Sequence, residues 1–316
     1  MWALIVLFIC GLILIVKGGD FFVDAAAWMA EVSGIPHFLI GATVVSVATT
    51  LPELFVSCLG AARGSNAIAI GNAVGSVTAN TGLIMAISII FMPIVAKRST
   101  YLFKSVLLIL ATAILYAASF GKRFSLIGSA ALLIIFAVYT YHSIKEAKSG
   151  SDTSERREYE KKEIPLNILK FLFGAVGIVV GADLLVKSAT EIATVSGVPE
   201  AVISATVVAV GTSLPELVTA ITAIVKKQTS LSVGNIIGAN LIDISVILPI
   251  CSFVSKDGLV SLKQNLYIDF PVCLLVLLIA IVPALRREKF SKAQGFVLLT
   301  VYIAYVCVIS FFNPFK

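Results

Sequence analysis

The chain has 316 residues, 59% of them apolar and 13% charged, with a mean hydropathy of +1.02. Soluble domains run at about 45–50% apolar and about 25% charged, so a water-soluble enzyme, a disordered chain and a nucleic-acid binder are excluded. The formal charge of +6 lies in short gaps between apolar runs, the distribution of a polytopic membrane protein and not of a phosphate-binding face.

A hydrocarbon layer about 30 Å thick takes about 20 helical residues to cross, and backbone groups must be satisfied internally there. Ten runs qualify: 2–30, 38–62, 66–95, 102–120, 124–144, 165–190, 200–225, 230–254, 266–285 and 293–312. The first reads as a retained span and not a cleaved leader. No basic stretch precedes it, and apolar character resumes after Lys17–Asp20. Trp2 and Trp28 read as interfacial anchors. The gaps carry glycine or charge, as at Gly121-Lys122-Arg123 and Arg286-Arg287-Glu288-Lys289. The one long gap, 145–164, holds six basic and six acidic residues and reads as a solvated linker between residues 1–144 and 165–316. Cys10, Cys58, Cys251, Cys273 and Cys307 read as buried thiols, without the spacing of a zinc site or a disulfide framework. His37 and His142 fall at expected loops, and Asp20 and Asp183 near span ends.

Basic residues divide unequally between alternate gaps. One set holds fifteen, including Lys97, Arg98, Lys104, the six of the linker, Lys226 and Lys227; the other holds seven. The richer side belongs in the cytoplasm. That places the linker inside, both termini outside, and the chain as a multi-pass protein of the cell membrane.

Residues 33–80 align with 196–243 at a constant offset of 163 and without a gap; 17 of the 48 pairs are identical. Thr49-Thr50-Leu51-Pro52-Glu53-Leu54 recurs as Thr212-Ser213-Leu214-Pro215-Glu216-Leu217. Gly71-Asn72-Ala73-Val74-Gly75 recurs as Gly234-Asn235-Ile236-Ile237-Gly238. Five spans separate equivalent points. An odd number means that the halves cross in opposite senses, so the expected fold is an all-α polytopic membrane protein of ten transmembrane helices in two inverted five-helix repeats. Matching motifs then meet near the midplane.

Glu53 and Glu216 each lie about midway along an apolar span. A charge at that depth costs at least about 2.5–3.5 kcal/mol unless it faces a cavity or a partner. Hydroxyl residues precede each glutamate by three and four positions, on the same helical face. Pro52 and Pro215 cannot bond the carbonyls of Ala48 and Gly211, so both helices should break there. Carboxylate, hydroxyl and free carbonyl oxygens are the hard ligands that Ca²⁺ prefers, and Na⁺ accepts the same set. The next span of each half adds Asn72, Ser76 and Asn80, matched by Asn235, Ala239 and Asp243. These polar groups read either as site residues or as packing groups bonded to neighbouring helices. Two glutamates would be neutralised by one Ca²⁺, and one shared site is the simplest arrangement.

At these motifs the sequence resembles the cation/Ca²⁺ exchanger superfamily, specifically prokaryotic Na⁺/Ca²⁺ exchangers, over essentially its whole length. The resemblance implies an antiporter, with no cofactor and no enzymatic activity. It implies ion binding by Glu53 and Glu216, by the hydroxyls of Thr49, Thr50, Thr212 and Ser213, and by the carbonyls of Ser46 and Ala209. It also implies roles for Ser76 in a sodium site and for Asn80 and Asp243 in lining the centre. Ala239 departs from the pattern, because it lacks the hydroxyl of its equivalent Ser76. An acid at 243 leaves K⁺ use open. A single chain suffices for such a site, and the lipid bilayer is its other partner.

The energetics favour several sodium ions. Expelling Ca²⁺ against an assumed gradient of about 10⁴ and about 100 mV costs about 10 kcal/mol. Each Na⁺ moving down a tenfold gradient and the same potential yields about 3.7 kcal/mol, so two fall short and three suffice. A proton/Ca²⁺ antiporter using the same glutamates is the alternative, and a cation channel a more remote one.

Overall fold

The structure, a computed structural model, describes residues 2–92, 98–121, 123–151, 158–196, 211, 213–255 and 258–311. Among these residues the chain is helical, without a β-strand. In chain order the helices are α1 (Trp2–Ser33), α2 (His37–Ile40), α3 (Ser46–Thr49), α4 (Leu51–Ala62), α5 (Asn66–Ala79), α6 (Ala86–Phe91) and α7 (Arg98–Ala118). There follow α8 (Leu126–Ser151), α9 (Glu163–Val195), α10 (Leu214–Val225), α11 (Thr229–Ile242), α12 (Leu248–Val254), α13 (Phe270–Arg287) and α14 (Lys292–Phe311). Short π-helical turns, Gly41–Val45, Asn80–Met85 and Asp243–Ile247, join α2 to α3, α5 to α6 and α11 to α12, and another, Asn265–Asp269, leads into α13. Among the described residues eight helical stretches are long and apolar enough to cross a membrane, and nine if His37–Thr49 and Leu51–Ala62, bent by 45°, count as one span. Of the expected span 200–225, residues 200–210 lie outside the described set, and α10 is its remaining part.

Two compact units are present, one of Met1–Thr49 with Ala147–Asn235, the other of Thr50–Glu146 with Ile236–Lys316. In the first, α1 and α9 run backbone against backbone along glycines. A Cβ on Gly18 would stand 2.8 Å from the Ile178 nitrogen, one on Gly174 2.6 Å from the Phe22 nitrogen, and one on Gly181 2.8 Å from the Gly11 oxygen. Helices in lipid gain little from burying apolar surface, so close approach through small residues supplies the packing. Phe22, Val23, Ala26, Ile40, Ile178 and Leu231 form the buried cluster beside this seam. Val6, Ile13, Phe173 and Val176 are exposed, as side chains against hydrocarbon would be. Lys226, in the turn after α10, pairs with Asp24 at 2.7 Å and Asp20 at 3.4 Å. Trp28 is not a simple lipid anchor: its Nε1 donates to Glu163 Oε2 at 3.0 Å, and its ring meets Tyr159 edge-on. Trp2 is exposed. Asp183 pairs with Lys187 one turn on.

In the second unit α4 packs on α5 through Gly60, and α14 packs on α6 and the Asn80–Met85 turn through Gly295 and Gly82. Tyr116 of α7 meets Phe270 of α13 at 5.8 Å between ring centroids. Three sequence expectations change here. The fifth span was expected to end at residue 144, but α8 runs to Ser151 and carries helix into the linker. His142 is therefore helical and not in a loop; it stacks on Phe103 and lies 3.7 Å from Glu146. Lys104 was counted among gap charges, yet it lies within α7, buried, as the ion-pair partner of Glu146. The thiols also differ: Cys251 and Cys273 are buried, Cys58 is half-buried, and Cys10 and Cys307 are exposed.

Candidate ion-binding residues

Proline at the second position of α4 and of α10 sets the local geometry. It cannot donate to the preceding turn, so each helix starts afresh at the leucine before it. Thr50 (φ −86°, ψ 0°) and Ser213 (φ −90°, ψ 9°) occupy the breaks in matching backbone conformations. The new helices begin with bonds from Leu54 N to Thr50 O at 3.1 Å and from Leu217 N to Ser213 O at 3.0 Å. Glu53 and Glu216 are thus third residues of their helices, where the amino-terminal dipole favours negative charge. Both are buried, at 1% and 0% exposure.

The bounds of α4 and α10, and of α5 and α11, are each displaced by the 163 residues of the sequence repeat. The π turns after α5 and α11 open at the equivalent residues Asn80 and Asp243. Even the left-handed residue after the first helix of each pair recurs, as Gly64 (φ 77°) and Lys227 (φ 60°). A lysine in a conformation that favours glycine shows how firmly this turn is imposed.

In the first unit α10, carrying Glu216, packs against α3, carrying Ser46 and Thr49. The Thr49 hydroxyl lies 3.2 Å from Asn235 Oδ1 and 3.4 Å from the Ser46 carbonyl. Ser46, Thr49, Ser213 and Asn235 are buried with Glu216. The expected ligands Ala209 and Thr212 lie outside the described residues.

In the second unit Thr50, Glu53, Ser76, Asn80 and Asp243 are all buried. Here α4 packs against α5 and against the π turn that Asp243 opens. Asn72 Nδ2 donates to the Glu53 carbonyl at 3.3 Å and to Ser57 Oγ at 3.0 Å. Asn80 Nδ2 donates to Asn240 Oδ1 at 3.1 Å, and Asn240 Nδ2 to Thr81 Oγ1 at 2.9 Å. The sequence pattern does not single out Ser57, Thr81 or Asn240. Their repeat equivalents are Ala220, Ile244 and Val77, so a search for polar groups present in both halves passes over them.

Among the described residues no three His, Cys, Asp or Glu side chains come together as a metal cluster. What is present is carboxylate with hydroxyl, amide and carbonyl oxygen, a donor set suited to hard cations and not to zinc or copper.

An all-helical integral membrane protein that buries acids at proline-broken helices, among neutral oxygen donors, has the build of an ion transporter. The chain belongs to the family described as sodium/calcium exchanger protein, whose profile matches residues 3–145 and 166–311. The unmatched interval falls on the charged linker. An uncharacterised membrane protein of Methanocaldococcus jannaschii, MJ0091, is 32% identical over 297 residues, covering 94% of each chain. The sodium/calcium exchanger MaX1 of Methanosarcina acetivorans is 25% identical over 338 residues, covering 95% of this chain and 96% of its own. A solved structure of the sodium-calcium exchanger NCX_Mj, soaked with Na⁺ and Sr²⁺, superposes with a TM-score of 0.83 at 30% identity, covering 98% of each chain.

Proposed function

We propose that the protein is a secondary antiporter exchanging three Na⁺ for one Ca²⁺ by alternating access. Its ten spans form two inverted five-helix repeats, residues 1–144 and 165–316, joined by the cytoplasmic linker 145–164, with both termini outside the cell membrane. Glu53 and Glu216 hold Ca²⁺ at one midplane site. The hydroxyls of Thr49, Thr50, Thr212 and Ser213 and the carbonyls of Ser46 and Ala209 complete the oxygen set, and Ser76, Asn80 and Asp243 serve the sodium positions and the lining. Sodium and calcium compete for these oxygens, and displacement of the first and sixth spans opens the site to one side at a time. The observation that carries this reading is the repeated Leu-Pro-Glu helix start, with a buried glutamate in the first turn of both α4 and α10. Family membership and the likeness to NCX_Mj support the same ions.

A second reading, K⁺-dependent exchange, is favoured by one residue. Asp243 is a third acid, fully buried, at the head of the π turn packed on α4. Uptake of ⁴⁵Ca²⁺ into proteoliposomes with imposed gradients tests both. Uptake on outward Na⁺ gradients alone, with a reversal potential fitting three Na⁺ per Ca²⁺, is expected. A K⁺ requirement would favour the second reading, and uptake driven only by a pH step would overturn sodium coupling.

A further inference from the structure

Cys58 of α4 and Cys251 of α12 lie in the same compact unit, on helices packed against each other. The Cys251 thiol points at the Cys58 sulfur, 3.9 Å away. In the sequence these are separate thiols, 193 residues apart, and the repeat offers no hint of the pair. The residue equivalent to Cys58 is Ile221.

We propose that Cys58 and Cys251 are an oxidisable dithiol that closes to a disulfide and so fastens α4 to α12. The two sulfurs are already in van der Waals contact, on two packed helices. Reaching a bond of about 2.05 Å brings the sulfurs closer by about 1.9 Å. Reactivity needs access, and the two thiols differ in it. Cys58 is half-buried, on the face of α4 that also exposes Phe55 and Leu59, where a small uncharged oxidant such as hydrogen peroxide can partition, while Cys251 is wholly buried beside it.

The oxidant is a peroxide, and the step balances. The Cys58 thiolate attacks one oxygen of hydrogen peroxide; the O–O bond breaks, and the departing hydroxide takes up the thiol proton as water. The sulfenic acid so formed is attacked by the Cys251 sulfur. The S–S bond forms as the S–O bond breaks, and the second water leaves with the Cys251 proton. The two sulfurs lose two electrons and the peroxide gains them.

The bond would bear on the candidate ion site. Cys58 lies five residues beyond Glu53, about 7.5 Å along the same helix. Cys251 lies on the helix that follows the Asp243 turn. A covalent tie there joins the helix that carries Glu53 to the helix that continues from the Asp243 turn.

The test is chemical and does not require that the protein transport ions. Purified protein is treated with hydrogen peroxide, then denatured and alkylated. Five thiols should alkylate before oxidation and three after, with the intact mass lowered by about 2 Da and a peptide linking positions 58 and 251. C58S should show four alkylatable thiols before and after, whereas C251S should show four before and three after, with Cys58 held as a sulfenic acid that dimedone traps. Dithiothreitol should restore all five in the wild type. Retention of all five thiols, a link involving Cys10, Cys273 or Cys307, or stable sulfenic and sulfinic products in place of the link would overturn the assignment.

Discussion

The side-chain amide of Asn72 donates to the main-chain carbonyl of Glu53, at 3.3 Å, and to the hydroxyl of Ser57, at 3.0 Å. This pair of bonds clamps α5 to the first turn of α4, the turn that carries a buried carboxylate. Asn72→Ala removes both. Part-buried bonds of this kind contribute about 0.5–1.5 kcal/mol each. If the whole loss falls on Ca²⁺ binding, the Ca²⁺ concentration for half-maximal uptake rises about 5- to 150-fold, with the maximal rate less affected. Uptake by Asn72→Ala at wild-type Ca²⁺ affinity would show that the clamp positions nothing.

Glu53→Gln and Glu216→Gln should each reduce Ca²⁺ uptake to background while leaving the fold intact. Each change removes a buried charge, so ion-free protein should unfold at or above the wild-type temperature. The diagnostic quantity is ligand-induced stabilisation. Calcium at about 100 times its Kd should stabilise the wild type by about 2.7 kcal/mol, and that gain should vanish in both variants. Thermal unfolding in detergent with and without Ca²⁺ measures it.

Much of this was legible in the sequence, for physical reasons that differ from element to element. Apolar runs fix spans because lipid tolerates little else, and Pro52 and Pro215 fix helix breaks because a missing N–H cannot be repaired locally. The repeat multiplied the signal, since Glu53 and Glu216 each point to the other through a shared motif. The π turns at Asn80 and Asp243 were not legible. No residue type demands the extra residue, which tertiary packing accommodates. Thr81 and Asn240, which bond with each other and, through Asn240, with Asn80, were missed because their repeat equivalents, Ile244 and Val77, are apolar. Lys104 misled the charge count, because a lysine near a span end reads as solvated until its partner Glu146, on another helix, is placed beside it.

The glycine seam of α1 and α9 makes a paired prediction. Gly18→Ala would put a methyl 2.8 Å from the Ile178 nitrogen and 2.9 Å from the Gly174 oxygen, both of them backbone atoms that cannot swing aside. The helices must separate, at about 1–3 kcal/mol. Gly71→Ala meets nothing within 4 Å and should gain up to about 1 kcal/mol from helix propensity. Denaturation midpoints that moved the same way for both would contradict the seam.

Lys104 is fully buried against Glu146, with His142 stacked nearby on Phe103. Lys104→Met leaves the part-exposed Glu146 carboxylate with only His142 beside it and should destabilise by about 1–3 kcal/mol. Lys104→Met with Glu146→Leu removes both charges and should recover most of that loss. A double variant no more stable than the single one would mean that the pair is not the unit that matters. Thermal unfolding of the three proteins in one detergent decides it.

Ala239 occupies the place in the second half that Ser76 holds in the first, and it is wholly buried on α11, four residues before Asp243. If Ser76 donates its oxygen to a sodium ion, the other half lacks that oxygen. Ala239→Ser restores it at the cost of one small atom. Calcium prefers six to eight oxygens and, in the proposed site, would already have two carboxylates, so a neutral hydroxyl matters less to it. The change should therefore act on sodium selectively. One added oxygen contact at about 1 kcal/mol lowers the Na⁺ concentration for half-maximal inhibition of Ca²⁺ binding about 5-fold. Calcium affinity measured without sodium should move by less than half as much. Equal shifts for both ions would place the residue in general packing. A loss of affinity for both would mean that the buried wall at Ala239 has no room for an oxygen. Competition titrations of the single variant, at fixed K⁺ so that any contribution of Asp243 stays constant, separate the three outcomes.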